Sequence, residues 1–236
     1  MAIDDLPGPV VTFLNVLGVP WPYLNEDEIR AFASMVRQFG QAVEQTHQEA
    51  TKAIASIAQV YQGASTQRMQ SGWAHLSAQH VDEVVAGSHV LADALEVGAD
   101  WVVAQKVEAI AELVGMAATF IADQAAAVAT FGLAEAAVPV IIEAGKKLLE
   151  TLKQQIIQYI MGEIIEAAAK PLFAKVERAL AGLDWSNAPS GGGGPGSGFS
   201  LDAEALRQQI AILRGHADAM RGHAQTLRSG LEGLSF

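Results

Sequence analysis

Apolar residues in the first quarter of the chain recur with helical spacing and then stop at a Tyr61-Gln62-Gly63 turn. Between residues 29 and 61 they are separated by three or four positions, with one step of seven. This spacing keeps one stripe of a long α-helix against a neighbouring helix. The stripe comprises Ile29, Phe32, Val36, Phe39, Val43, Ala50, Ile54, Ile57 and Tyr61.

A second stripe of the same kind follows the turn, and the two together predict an antiparallel hairpin of long helices joined at Gly63. Its members are Met69, Trp73, Leu76, His80, Val84, Gly87, Leu91 and Ala94. Alanine is abundant and aromatic residues make up 6% of the chain, which favours helix over strand. Because no segment alternates cleanly between apolar and polar residues, the predicted fold is all-α with no strand.

The remaining elements follow from capping residues and from helix breakers. Residues 1–24 contain four prolines and are predicted to be irregular, with Asn25 capping a first helix that ends near residue 58 or 60. A second helix begins near Ala64 and continues to at least Gly98. Further helices are predicted over 103–131 and 139–169. We attribute Gly87 and Gly98 to close approach of a neighbouring backbone.

Composition divides the chain into three parts. Residues 186–199 are rich in glycine, proline and serine and predict a flexible linker. Residues 1–185 then form a helical domain that extends the hairpin into a bundle, and residues 200–236 form a single helix. That helix has an apolar stripe with steps of four and three: Leu206, Ile210, Leu213, Ala217, Met220, Ala224, Leu227 and Leu231.

The interactions within an isolated helix of this length do not offset the conformational entropy that is lost when the helix forms. We therefore expect another surface to cover the apolar stripe. The main domain, a second copy of the chain and a partner chain are the three possible covers. The six large side chains expected at this tail interface are Leu206, Ile210, Leu213, Met220, Leu227 and Leu231.

Charge and residue usage exclude several function classes. The net charge is −11, and residues 1–190 carry 22 acidic against 11 basic residues, so the chain offers no cationic surface to nucleic acid. There is no cysteine for disulfides, thiol catalysis or zinc. His216 and His223 share a helix face about 10 Å apart, too far to hold one metal ion. We predict no catalytic residues, no metal and no cofactor.

The chain also lacks clear membrane and signal features. Its acidic N-terminus does not fit a cleavable signal peptide. The most apolar region, Met116 to Ile142, is interrupted by Asp123 and Glu135, and its longest charge-free run is 11 residues against the roughly 20 that a bilayer needs. We therefore interpret this region as a buried, alanine-rich core helix.

These features resemble the WXG superfamily of small helical proteins exported by type VII secretion, whose hairpins turn at a Trp-x-Gly motif. The resemblance is closer to the WXG-like N-terminal domain of actinobacterial polymorphic toxins and of the outer membrane channel/necrotizing toxin. It rests on the Trp21-Pro22 lead-in followed by acids, the aromatic-x-Gly turn, Trp73 downstream and the alanine-rich extension. The chain departs from the motif at Tyr61, which stands where the family has Trp.

The resemblance implies a secreted or cell-envelope protein that is cytoplasmic before export and has no cleavable signal. It also implies an export signal of the form Tyr-x-x-x-Asp/Glu, which Tyr159 with Glu163 fits, as does Tyr23 with Asp27. The function that follows is a non-enzymatic export or assembly module, packing against a small helical hairpin, a chaperone or itself. An oligomeric pore that contacts membrane and a cytoplasmic helical scaffold remain the alternatives.

Overall fold

The computed structural model is built from α-helices, as predicted, and describes residues 6–62, 64–76, 81–129, 138–172, 174–175, 200–201 and 203–234. A π-helical segment, Ile160–Ala169, continues the fifth helix. The helices of this described part are α1 (Gly8–Leu17), α2 (Glu26–Val60), α3 (Ala64–Leu76), α4 (Asp82–Ala129), α5 (Val138–Tyr159) and α6 (Ala203–Glu232).

The prediction of an irregular lead-in was wrong, because residues 8–17 form helix α1. Pro9 lies in the first turn, where a missing N–H costs nothing. Val10, Phe13 and Leu17 follow at helical spacing and are all buried. Gly18 ends the helix in the left-handed conformation, with φ of 65°, and its N–H donates to the Leu14 carbonyl.

The antiparallel hairpin is confirmed, and its first helix starts as predicted. The Asn25 side chain accepts hydrogen bonds from the N–H groups of Asp27 and Glu28, at 3.0 and 3.3 Å. Ion pairs then link α2 to α4 in reverse order along the two helices: Arg30 pairs with Asp100 and Arg37 with Asp93, both at 2.7 Å. The chain reverses between Val60 and Ala64, and Gly63 itself lies outside the described residues.

The buried stripe of α2 is more regular than predicted. The phenylalanines Phe32 and Phe39 are only half-buried, because Ala33 and Gly40 occupy the inner positions instead. His47 fills the seven-residue gap that the sequence left open. Steps of four and three then connect the whole stripe: Ile29, Ala33, Val36, Gly40, Val43, His47, Ala50, Ile54 and Ile57.

The described helices in the second half of the hairpin have bounds that differ from the prediction. Helix α3 ends at Leu76, and α4 then runs without a break from Asp82 to Ala129, so the expected separate helix over 103–131 was wrong. Gly87 and Gly98 of α4 approach side chains rather than the neighbouring backbone that was predicted. A Cβ added at Gly87 would lie 2.6 Å from Leu172 Cδ1, and one at Gly98 would lie 2.8 Å from Ile164 Cδ1.

The chain divides into two compact units, each with its own core. The first comprises the described residues of Met1–Ala31 and Ala94–Glu166, and the second those of Phe32–Asp93 and Ala167–Leu234. Residues 186–199 lie outside the described part, so the linker and the division into 1–185 and 200–236 stay predictions. A two-residue strand pair belongs to the second unit: β1 (Tyr61–Gln62) runs antiparallel to β2 (Ser200–Leu201). Two residues are too few to show strand alternation in a sequence.

The core of the first unit is formed by α1, α4 and α5. Phe13 of α1 contacts Phe120 of α4, with ring centroids 5.5 Å apart. Gly145 of α5 lets α1 approach closely, since an added Cβ would lie 3.0 to 3.2 Å from Leu17 and Phe13. The buried members of this cluster are Val10, Phe13, Leu14, Leu17, Trp21, Val102, Ala109, Leu113, Ala117, Leu149, Leu152 and Ile156.

A buried ion pair lies within the first unit. The Lys106 ammonium is 3.0 Å from Glu26 Oε1 and donates a hydrogen bond of 2.6 Å to the Leu24 carbonyl. Both charged side chains are 0% exposed. This arrangement joins the first turn of α2 to the middle of α4, and it makes Glu26 a core residue rather than a solvated helix-start acid.

The apolar part of α4 is much less buried than the core-helix interpretation requires. Residues Asp82–Ala126 are long and apolar enough to cross a membrane by length and composition, with a mean hydropathy of 1.3 in the most apolar window. Only 17% of that window is buried in the fold. Residues 130–137, which complete the predicted apolar region, lie outside the described part.

Candidate functional site

Trp73 is held in place near the hairpin turn by two interactions with α2. Its indole stacks on the His47 imidazole, with ring centroids 5.0 Å apart and planes inclined by 17°. The indole N–H donates to Thr51 Oγ1 at 2.9 Å, and that hydroxyl donates to the His47 carbonyl at 2.9 Å. Trp73 therefore joins α3 to α2 through both its ring face and its polar edge.

His47 is the residue of this cluster that sequence reasoning missed. It is 6% exposed, and its burial lowers the pKa of the imidazole, while the Asp82 carboxylate opposes that shift. Glu44, Asp82 and His89 line the same cavity of about 400 Å³. The seven-residue step between Val43 and Ala50 was the available signal, because a buried helix face leaves no such gap.

Tyr61 lies at the end of the first hairpin helix and is half-buried. Its carbonyl accepts a hydrogen bond of 2.8 Å from Thr66 Oγ1, and its backbone pairs with Leu201 in the short strand pair. Trp73 belongs to the same unit, whereas Gly63 is outside the described residues. The assignment of Tyr61, Gly63 and Trp73 to the turn motif that the family resemblance implies stays a prediction.

Helix α6 lies antiparallel along α2 in the second unit. His223 Nε2 and Thr46 Oγ1 share a hydrogen bond of 2.9 Å, and His216 Nε2 lies 3.4 Å from Glu49 Oε2. Gly230 is placed so that a Cβ there would collide with the Met35 sulfur. One face of the tail helix is therefore covered by the hairpin of the same chain.

The tail side chains expected at the interface occupy two different environments. Those of Leu206, Leu213, Met220 and Leu227 are half-buried. Ile210 and Leu231 are exposed, at 40% and 36%. Instead, His216 and His223, which share a helix face, lie against α2. The seven-residue repeat places them on one stripe but does not indicate which side of α6 packs against α2.

Tyr159 and Glu163, the expected export signal, lie where α5 passes into the π-helical segment. The Tyr159 ring is half-buried and stacks on Trp101, with centroids 4.2 Å apart and planes inclined by 7°. The Glu163 side chain is exposed. Tyr23, the other tyrosine with matching spacing, is 67% exposed and precedes α2.

We searched the described side chains for a group that could bind a metal ion. Within residues 6–62, 64–76, 81–129, 138–172, 174–175 and 203–234, no group of three or more histidine or acidic side chains could hold a metal ion. What the described surface offers instead is helix faces with exposed apolar stripes, which suit binding to another helix.

Comparison with known proteins adds one match. The family model described as a WXG100-like domain matches residues 4–146, which is more than half of the chain and extends from α1 into α5. No curated protein and no solved structure matches the chain. The matched region contains the whole antiparallel hairpin and the core residues that α1 and α4 contribute to the first unit, whereas Leu149, Leu152 and Ile156 of α5 lie beyond it.

Proposed function

Because this chain belongs to the WXG100-like family, we propose that it is a non-enzymatic export or assembly module of a type VII secretion substrate. The family is a secretion-related helical one without enzymatic activity. The observation that carries the proposal is the antiparallel hairpin of α2 with α3 and α4, which lies inside the matched region. The module would act by packing its helix faces against a small helical hairpin, a chaperone or a second copy.

The exposed apolar side chains support a role in binding protein. Val97 and Val107 of α4 are more than half exposed, and Ile210 of α6 is 40% exposed. Large apolar side chains arranged in stripes on helices gain free energy when another helix covers them. The acidic surface of residues 1–190 favours a protein partner over nucleic acid or anionic lipid.

Export would place the protein outside the cell or in its envelope without removal of a signal peptide. The test is to express the full chain in a host whose type VII machinery is intact and in the same host with the machinery inactivated. We expect the protein in the culture supernatant only in the first case. Equal release from both hosts would contradict the proposal and favour the cytoplasmic scaffold.

The proposed export signal, Tyr159 with Glu163, can be tested by substitutions that leave the core intact. Glu163→Ala removes an exposed carboxylate, and Glu166→Ala removes another exposed carboxylate nearby as a control. We expect the first to reduce secretion severalfold and the second to have no effect. If Asp27→Ala abolishes secretion instead, the signal is Tyr23 with Asp27.

A second candidate function is an oligomeric, membrane-contacting pore. The observation that favours it is the apolar window of α4, of which only 17% is buried. Incubating the purified chain with dye-filled neutral and anionic vesicles tests this candidate. Leakage that rises with protein concentration supports a pore, whereas retained dye at all concentrations removes it.

A further inference from the structure

Helix α6 covers a second stripe of α2, which lies beside the buried stripe of that helix. We name Met35, Phe39, Ala42, Thr46 and Glu49 the outer stripe of α2; they are separated by alternating steps of four and three positions. This spacing lets two long helices interlock side by side. Helix α2 therefore has two packing surfaces, and the tail of the same chain occupies the outer one.

The contacts along the outer stripe keep one antiparallel register from end to end. In each of them the position on α2 falls as the position on the tail rises. The pairs at the two ends and in the middle are Tyr61 with Leu201, Glu49 with His216, and Met35 with Gly230. The tail thus follows α2 from the turn to Met35, which is about 39 Å of helix.

The surface that α6 presents to α2 is only partly apolar. Half-buried residues recur along it at steps of three and four: Leu213, His216, Met220, His223, Leu227 and Gly230. Because histidine or glycine takes every second position, the stripe specifies a register but contributes little apolar contact. The Nδ1 atom of His216 is shielded from solvent and has no hydrogen-bond partner among the described residues. Along α6, which is described over its whole length, no side chain is buried.

Helix α6 is also weak as a helix. Gly215 and Gly222 lie in its interior, and no described atom lies within 4 Å of a Cβ added at either position. Close packing therefore requires neither glycine, and each is less favourable in a helix than alanine. An open groove of about 360 Å³ beside Phe39 and Leu227 remains between the two helices. Helix propensity and packing both leave α6 easy to displace from α2.

We propose that α6 is a displaceable cover, which occupies the outer stripe of α2 until a partner helix of the same type replaces it. That type is an amphipathic helix with leucine or methionine every seven residues and small or polar residues between them, because the outer stripe accepts such a helix from its own chain. This inference rests on the proposed function. It specifies which surface of the hairpin the partner uses and what closes that surface beforehand.

The weak contact persists because the cover belongs to the same chain. The composition of residues 186–199 predicts a flexible linker, and such a tether holds α6 at an effective concentration in the millimolar range. A partner helix must compete with it. The full chain should therefore bind the partner more weakly than a chain in which α6 has been released.

A labelled synthetic peptide of residues 200–236 serves as the partner helix, and fluorescence anisotropy measures its binding to the full chain. His216→Glu/His223→Glu releases the cover, because it sets a carboxylate against Glu49 and removes the histidine that bonds to Thr46. We expect this variant to bind the wild-type peptide at least about tenfold more tightly than the wild-type chain does. Circular dichroism checks that the variant remains helical.

The matched control is Gln208→Glu/Gln225→Glu, which adds two carboxylates at exposed positions of α6 and should leave peptide binding unchanged. Hydrogen exchange of the wild type is a second measurement that needs no substitution. The amides of α6 should exchange at least about tenfold faster than those of the α5 core, because α6 can open while the rest stays folded. Gly215→Ala/Gly222→Ala should slow the exchange of α6 about tenfold or more.

Equal peptide binding by the wild type and by the released variant would overturn the proposal, as would α6 amides that exchange as slowly as those of the α5 core. An equal gain in the control variant would assign the effect to added charge and would also overturn it. These outcomes are separate from the export assay. Secretion that depends on the type VII machinery, in a chain whose peptide binding the release does not change, leaves the proposed function intact and removes only this inference.

Discussion

At the scale of single residues, the ion pair of Lys106 with Glu26 is the most consequential side-chain contact. Both groups are fully buried, so each needs the other to offset its lost hydration. Lys106→Met leaves the Glu26 carboxylate buried without its cation, and we expect the free energy of unfolding to fall by about 3 to 5 kcal/mol. Urea denaturation followed by circular dichroism measures this loss.

The control for that prediction is the double variant Glu26→Gln/Lys106→Met, which removes both charges. We expect it to recover much of the stability, because a neutral pair carries a smaller desolvation cost. If the single and double variants were equally stable, the pair would contribute through packing of the Lys106 methylenes rather than through charge.

His47 makes the stability of the second unit depend on pH. Burial lowers the pKa of its imidazole below the usual 6.5, so below that pH the unfolded chain binds the proton more readily than the folded one. The stabilisation that the folded chain gains from a neutral His47 is therefore fully present above pH 6.5, and it is lost as the pH falls through the lowered pKa. We expect the free energy of unfolding to fall as the pH is lowered below 6.5.

The measurement is the free energy of unfolding of the wild type and of His47→Gln at several pH values. Glutamine does not titrate, so the difference between the two proteins should shrink as the pH falls through this range. The other ionisable groups are the same in both proteins, so their contributions cancel in the difference. A difference independent of pH would show that His47 protonates equally easily in the folded and unfolded chains.

At the scale of elements, close approach at glycine decides which substitutions a helix tolerates. Gly145→Leu would drive a side chain into Leu17 and Phe13, and we expect a loss of about 1 to 3 kcal/mol in spite of the better helix propensity. Gly115→Leu is the matched control, because nothing lies within 4 Å of an added Cβ there. It should be neutral or stabilise by up to about 1 kcal/mol. Thermal unfolding of the two variants separates these effects.

The long helices could be predicted because an apolar stripe and a capping residue depend only on residues that are close together in the sequence. Asn25 and the apolar steps of α2 located that helix to within a few residues, and the hairpin followed from two stripes on either side of Gly63. Helix α1 differs from the prediction because the four prolines of residues 1–24 indicate irregular structure, whereas Val10, Phe13 and Leu17 have helical spacing. Pro9 lies in the first turn, where proline does not oppose a helix.

The candidate site was less predictable, because it depends on which side of a helix a distant segment covers. The repeat in α6 identified a helix that needs a neighbour, but tertiary packing alone decides that His216 and His223 face α2. Likewise, the stacking of His47 on Trp73 joins residues on two helices, and the sequence showed only an unexplained gap at His47. Local periodicity predicts that a helix has an apolar stripe, whereas long-range contacts decide which residues of the helix are covered and by which segment.

At the scale of the whole molecule, α6 packs on α2 of its own chain, and an engineered disulfide tests this contact. The chain contains no cysteine, so the variant Met35→Cys/Gly230→Cys carries a single possible disulfide. A Cβ at Gly230 lies against the Met35 side chain, which brings the two positions close enough to attempt a bridge. We expect oxidation to give a covalently closed monomer that migrates faster on a non-reducing gel.

The control is Met35→Cys/Gly215→Cys, because Gly215 has no neighbour within 4 Å of an added Cβ and should not react with position 35. The closed monomer should also be harder to unfold, since a cross-link between distant positions restricts the unfolded chain. Covalent dimers at low protein concentration would instead mean that the tail helix is exchanged between copies. That result would place α6 on a partner's α2, so that the copies of this chain would associate through the His216 and His223 face of α6.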